Sequence, residues 1–204
     1  GQRERDYYLD AFDSGWISSI GRYIALTEEL LASTFDSRYA VLASSGTTAL
    51  QLALASLELR KGSRIIVPNL TFIATASSVS HQGFQPILSD TELESPQISA
   101  AMAQKLLEEG AQAILPVLLY GQFPDMEAIE RLSAQHSIPI ILDAAEAPGA
   151  TYKNRQVGSI GDVSILSFYA NKIITSGEGG CLLTNDQTIA TKALSLIHIS
   201  EPTR

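Results

Sequence analysis

Ala40-Val41-Leu42-Ala43-Ser44-Ser45-Gly46-Thr47-Thr48-Ala49-Leu50-Gln51-Leu52-Ala53-Leu54-Ala55-Ser56-Leu57 decides the fold. Four apolar residues make a short strand, a Ser/Gly/Thr turn follows, and an apolar helix runs to about Leu57. A strand that is apolar throughout, without alternation, is buried on both faces. The same unit recurs downstream. Strand-like runs lie at 64–67, 85–88, 113–118, 139–142, 163–168 and 181–184. Helical patterns lie at about 72–81, 99–108 and 125–136, the last with Met126, Ile129 and Leu132 on one face, and another begins at 189–194. Asp186 is placed to cap that last helix. Upstream, 3–13 reads as a short polar helix, and 22–36 carries Ile24, Leu26, Leu30, Leu31 and Phe35 on roughly one helical face. The expected fold is α/β, a three-layer sandwich with a mostly parallel sheet. In such sheets ligands bind beyond the carboxyl ends of the strands. Three groups stand there: Gly46-Thr47-Thr48, Thr71-Phe72 and Asp143.

Composition narrows the function. The chain has 204 residues, 45% of them hydrophobic, and a formal net charge of −8. That balance argues against a nucleic-acid binder, which needs a clustered basic surface. One cysteine, Cys181, allows no intrachain disulfide and points to no oxidising compartment. No apolar run approaches a membrane span of roughly 18 residues, and no secretory signal opens the chain. The expectation is a cytoplasmic protein whose N-terminus is incomplete, since the first residue is not Met. His81, His136 and His198 have no ligand-like spacing, so no metal site is expected.

The chemistry-bearing residues fall into four groups. The turn before the first core helix offers outward-pointing amides, the positive end of the helix dipole and the Thr47 and Thr48 hydroxyls, with Gly46 permitting close approach. That is a phosphate-sized site, and it is also an ordinary helix start. It is neither a P-loop nor a dinucleotide fingerprint. Phe72 can lie against a flat ring or pack in the core. Asp143 ends a buried strand, where a carboxylate needs a partner; it can pair with a protonated ring nitrogen, bind a metal or cap a helix. Ala145 is small enough to admit a planar ligand, and Glu146 can bond its polar substituent. Lys172 lies in Ser167-Phe168-Tyr169-Ala170-Asn171-Lys172-Ile173-Ile174-Thr175-Ser176-Gly177-Glu178-Gly179-Gly180, the least charged surroundings of the five lysines. An amine there is either a Schiff-base nucleophile or a strand cap reaching water. A phosphate, a flat ring, a ring nitrogen needing an anion and an aldehyde needing a lysine are all satisfied by pyridoxal phosphate. Ser167 is a further candidate for the phosphate.

Six stretches, in order, carry a resemblance to a known family: Gly15-Trp16-Ile17-Ser18-Ser19, Ser44–Leu50, Pro68–Ala76, Pro116–Gly121, Asp143–Ala147, and Ser167–Lys172 with Gly177–Gly180. The chain resembles the DegT/DnrJ/StrS sugar aminotransferases, and among them the perosamine-synthase-like members. The resemblance implies the large cofactor-binding domain of a fold type I pyridoxal-phosphate enzyme. It implies that Lys172 is the Schiff-base lysine, that Asp143 pairs with the pyridine nitrogen and that Phe72 stacks on the ring. It gives the phosphate to Gly46, Thr47, Thr48 and Ser167, and places Glu146 near the ring hydroxyl. Trp16, Ser18 and Ser19 would help shape the sugar-nucleotide site. The implied reaction moves an amino group from glutamate to a nucleotide-linked keto sugar, for surface polysaccharide or natural products, in a homodimer.

The chain also departs from that family. Residues 1–36 are read as an N-terminal helical segment, 37–194 as an incomplete cofactor domain and 195–204 as a non-native tail, with the small C-terminal domain absent. A chain so truncated would itself be inactive. Leu118 stands where many members have histidine. Some relatives carry histidine in place of the lysine and act as dehydratases, so Lys172 favours transamination. The alternatives are another enzyme of the same fold, such as an amino-acid aminotransferase or a cysteine desulfurase, a cofactor-binding regulator, and an inert fragment; a desulfurase needs a mobile cysteine, whereas Cys181 sits in an apolar strand and reads as a buried inert thiol.

Overall fold

The computed structural model describes residues 1–16 and 21–197. Two helices come first, α1 (Gln2–Asp13) and α2 (Arg22–Thr34). The alternation follows as β1 (Tyr39–Ala43), α3 (Gly46–Ser56), β2 (Arg64–Pro68), α4 (Ile73–His81), β3 (Gln85–Ser89), α5 (Ala100–Glu108), β4 (Ala113–Ile114), α6 (Met126–His136) and β5 (Ile141–Asp143). A hairpin, β6 (Thr151–Tyr152) and β7 (Arg155–Gln156), precedes β8 (Val163–Ser167), β9 (Gly180–Thr184) and α7 (Gln187–Ile197).

The strands form two ladders, β1-β9-β8-β5 and β3-β2-β4. Parallel bridges Ile114–Ile140 and Val117–Asp143 join them, so the continuous order is β3-β2-β4-β5-β8-β9-β1. Only β9 runs against its neighbours in this sheet. Its connection from β8 has no crossover helix, and a parallel return needs one. Pro116 cuts the expected 113–118 strand short, because it has no N–H to give the ladder. Its carbonyl still accepts from Asp143 N–H at 2.9 Å, which carries the pairing to the site.

Both faces of the sheet are dry. Ile65, Ile141, Ile165 and Leu182 pack with Leu50, Leu54 and Ala53 of α3 and with Ile189 and Ala193 of α7. Their strand neighbours Ile66, Leu142, Leu166 and Leu183 pack on the opposite side with Leu107, Met126, Ile129 and Phe35. Successive side chains point to opposite faces, so a strand sandwiched by helices is apolar at most positions on both faces. The helices at each flank are therefore a consequence of the strand composition.

Two details differ from the sequence expectation. The β6–β7 hairpin turns on Lys153 and Asn154, both left-handed at φ 49° and 66°. That is the backbone of a two-residue hairpin loop without its usual glycine, so no glycine marked it. Helix α7 continues past 194 to Ile197, because Ala190, Ala193 and Ile197 keep a helical apolar spacing. The segment 198–204 lies outside the described residues. Asp186 caps α7, its Oδ1 accepting from Thr188 and Ile189 N–H at 2.6 and 3.2 Å. Among the described residues no helix is long and apolar enough to cross a membrane.

Leu54 is fully buried between α3 and the sheet. Leu54→Ala should cost about 2–5 kcal/mol of stability, seen as a lower urea midpoint with an unchanged slope.

Candidate functional site

The site lies where the central strands end. Asp143, last residue of β5, is 7% exposed. Its Oδ2 accepts from the Thr75 hydroxyl of α4 at 3.0 Å, and its Oδ1 from Ala145 N–H at 3.2 Å. Burial pushes the carboxyl above its usual range, against the pull of those two donors and of the Lys172 charge. Two neutral donors do not replace the water this carboxylate has lost.

Lys172 comes from the loop 168–179 between β8 and β9. The loop is pinned at its base, with Phe168 N–H on the Gly179 carbonyl at 2.9 Å and Ser176 N–H on the Phe168 carbonyl at 3.0 Å. Lys172 N–H closes a turn onto the Tyr169 carbonyl at 2.9 Å. The side chain is only 18% exposed, and its Nζ is 3.4 Å from Glu146 Oε1. The uncharged surroundings expected from the sequence are thus incomplete, because the fold brings in a carboxylate 26 residues earlier in the chain. The other oxygen of Glu146 accepts from Tyr120 N–H at 3.1 Å. Tyr120 holds φ 57° and ψ 27°, a left-handed backbone that costs a residue with a side chain about 1–2 kcal/mol. A cavity of about 490 Å³ opens beside the pair, lined by Tyr120, Glu146, Pro148, Asn171, Lys172 and Ile173 among others.

The start of α3 meets the end of β8. Ser45 caps the helix, its Oγ accepting from Thr48 N–H at 3.1 Å while Thr48 Oγ1 accepts from Ser45 N–H at 2.8 Å. The Thr48 hydroxyl therefore serves the helix start. Gly46 lies so close to Ser167 that a β-carbon would come within 2.6 Å of the serine's own. A β-carbon on Gly180 would sit 2.3 Å from the Ser45 carbonyl oxygen. Two glycines without side chains thus bring the first turn of α3, with Thr47 half-buried on it, against Ser167.

The remaining candidates are placed as follows. Phe72 is the N-cap residue of α4 and is 69% exposed, which removes the core-packing alternative. Ala145 is half-buried beside Asp143. Trp16 is 60% exposed and lines a separate cavity with Asp10, Asp13 and Arg22. Ser18 and Ser19 lie outside the described residues. Leu118 is buried in the core, so its side chain packs and does not line the Lys172 cavity. Cys181 is buried in β9 and its thiol is pushed up to about 12 by burial, which leaves no thiolate for a desulfurase. No group of three or more His, Cys, Asp or Glu converges as a metal site among the described residues. Sequence reasoning assigns no role to Thr75 or Tyr120. A hydroxyl among the small residues of α4 was the only signal for Thr75, and nothing local marked Tyr120.

The model of the DegT/DnrJ/EryC1/StrS aminotransferase family matches residues 1–201. The GDP-perosamine synthase of Caulobacter vibrioides is 44% identical over 189 residues, covering 93% of this chain and 51% of the relative. That of Escherichia coli O157:H7 is 41% identical over 192 residues, covering 94% and 53%. The crystal structure of an aminotransferase from Psychrobacter cryohalolentis superposes with a TM-score of 0.92 at 34% identity, over 100% of this chain and 54% of its own. The chain spans about half the length of the curated relatives it matches.

The raised Asp143 carboxyl has a sign that can be measured. Between the ordinary value of 3.8 and its raised folded value, the folded state binds more protons than the unfolded state, so stability falls as pH rises through that window. Ligand-free Asp143→Asn should therefore be at least as stable as wild type at pH 8. Its advantage should shrink as pH is lowered toward 3.8, as read from urea midpoints.

Proposed function

Because this chain belongs to the DegT/DnrJ/EryC1/StrS aminotransferase family, we propose that the intact protein is a pyridoxal-phosphate-dependent aminotransferase. It moves an amino group from glutamate to a nucleotide-linked keto sugar, in amino-sugar or surface polysaccharide synthesis in the cytoplasm. The observation that carries the reading is the Lys172 amine, pinned 3.4 Å from Glu146 and acting electrostatically on the buried Asp143 at the end of the central strands.

The residues present fit the cofactor. Asp143 is a buried anion short of donors, and a protonated pyridine nitrogen would neutralise it. The first turn of α3, with Thr47 and Ser167 beside Gly46, would hold the phosphate at a helix N-terminus. Exposed Phe72 offers a ring face, and Ala145 leaves room for a flat group. When bound, pyridoxal phosphate supplies an aldehyde and an electron sink. Lys172 would supply the amine that holds the aldehyde carbon, and the same amine is placed to carry a proton to or from the amine-bearing carbon of the substrate. Glu146 orients the Lys172 ammonium and holds it against the sheet. Asp143 would hold the ring nitrogen in its protonated form, the cation offsetting the burial that raises the carboxyl.

Residues 37–194 form the cofactor-binding large domain in this reading. The remaining half of the relatives' length and a second subunit complete the pocket. Trp16, Ser18 and Ser19 belong to the sugar-nucleotide side.

Two substitutions test the reading in the intact protein. With pyridoxal phosphate, wild type should show an absorbance band near the visible edge that Lys172→Ala loses, with amino transfer falling by about 10²–10⁴-fold or more. A band unchanged by that substitution removes Lys172 from its role. Asp143→Asn should keep the cofactor bound but slow transfer strongly. Wild-type rates in that variant would dismiss the pairing with the ring nitrogen.

A further inference from the structure

Tyr120 is the residue of the Lys172 cavity whose placement packing does not explain. Its backbone is fixed from three directions. Leu118 and Leu119 before it are buried. Gly121 N–H donates to the Leu118 carbonyl at 3.0 Å and closes the turn. Glu146 Oε2 takes the Tyr120 N–H itself at 3.1 Å. The other oxygen of that carboxylate faces Lys172 Nζ, so one side chain sets the position of Tyr120 relative to the amine. Despite this, the Tyr120 side chain is 76% exposed. A left-handed backbone disfavours a residue with a β-carbon, and glycine would occupy it without strain. The fold therefore maintains a strained position around a side chain that contributes little to the core.

What that side chain shares is the cavity. Tyr120 lines it together with Pro148, Asn171, Lys172 and Ile173. The lining combines an aromatic face and aliphatic walls with a phenol hydroxyl and a carboxamide, which both donate and accept. A pyranose presents the matching pattern, C–H bonds on its faces and hydroxyls around its edge.

We propose that Tyr120 is a specificity-determining residue that receives the hexose of a nucleotide-linked sugar, its phenol set at the Lys172 cavity by the turn that Glu146 holds. This rests on the reading of the protein as a sugar-nucleotide aminotransferase. The aromatic face covers the C–H face of the sugar, and the phenol and Asn171 pair with its hydroxyls. A nucleoside diphosphate without its sugar lacks the group that Tyr120 recognises.

The test is calorimetric titration of the intact, pyridoxal-phosphate-loaded protein with GDP-, dTDP- and UDP-linked 4-amino sugars, each against its parent diphosphate. Wild type should bind at least one sugar nucleotide more tightly than the diphosphate. Tyr120→Gly should bind that sugar nucleotide roughly tenfold more weakly and the diphosphate equally well. Its melting temperature should match or exceed that of wild type, since glycine relieves the backbone. Tyr120→Phe keeps the ring and loses the hydroxyl, and should bind about threefold more weakly. It decides the question if the glycine variant does not fold. In turnover the loss should fall on KM for the keto sugar more than on kcat. Weakening shared equally by sugar nucleotide and diphosphate, or no weakening, overturns the assignment of Tyr120. A wild type that prefers none of the sugar nucleotides overturns the sugar-nucleotide reading instead, and the cofactor absorbance band shows separately whether the cofactor site stands.

Discussion

A carboxylate buried at the end of a parallel strand is the constraint on which the site depends. Asp143 has left water, and among the described residues a hydroxyl and an amide are its hydrogen-bond donors. Burial outweighs both and raises its proton affinity. A fold keeps such an ion where a cation is due to meet it, because an unpaired buried charge otherwise lowers stability. The arrangement around it is consistent with that. Lys172 is near enough to act on Asp143 electrostatically, and Glu146 restrains the Lys172 amine.

The sheet makes this geometry possible. Its strands are dry on both faces, so their ends are fixed by close packing on each side. The pairing of Pro116 and Val117 with Asp143 carries the ladder to the rim of the site even though β4 itself is two residues long. At the other rim, Gly46 and Gly180 remove the side chains that would keep β1, β8 and β9 from the first turn of α3. A helix dipole, a serine at a strand end and a buried carboxylate are thereby held by one rigid layer. The loop bearing Lys172 is tied at its base by backbone hydrogen bonds.

Glu146 links two features that would otherwise be independent. One oxygen faces the amine and the other fixes the turn at Tyr120. The position of the Tyr120 turn is therefore tied to that of the Lys172 amine through one side chain. The buried Cys181 and buried Leu118 show the opposite case. Neither lines the Lys172 cavity, and both are packing residues.

Local patterns made the fold readable from the sequence. Continuous apolar runs separated by helical spacing imply a doubly covered sheet, and all seven expected strands exist, with β4 shortened at Pro116. The antiparallel β9 and the hairpin at Lys153-Asn154 were less visible, because strand direction and turn type depend on what the connecting chain does. Gly46, Asp143 and Lys172 were legible because each breaks a pattern: a glycine opening a helix, a charge ending an apolar strand and an amine in an apolar segment. Thr75 on Asp143, Glu146 on Lys172 and the left-handed Tyr120 were not, since no local pattern encodes a contact between residues 68 or 26 positions apart. The sequence by itself determined which strands are buried and which residues carry charge to their ends. Only the tertiary structure decided which of those charges face one another, because burial and pairing are properties of the assembled layers and not of any single segment.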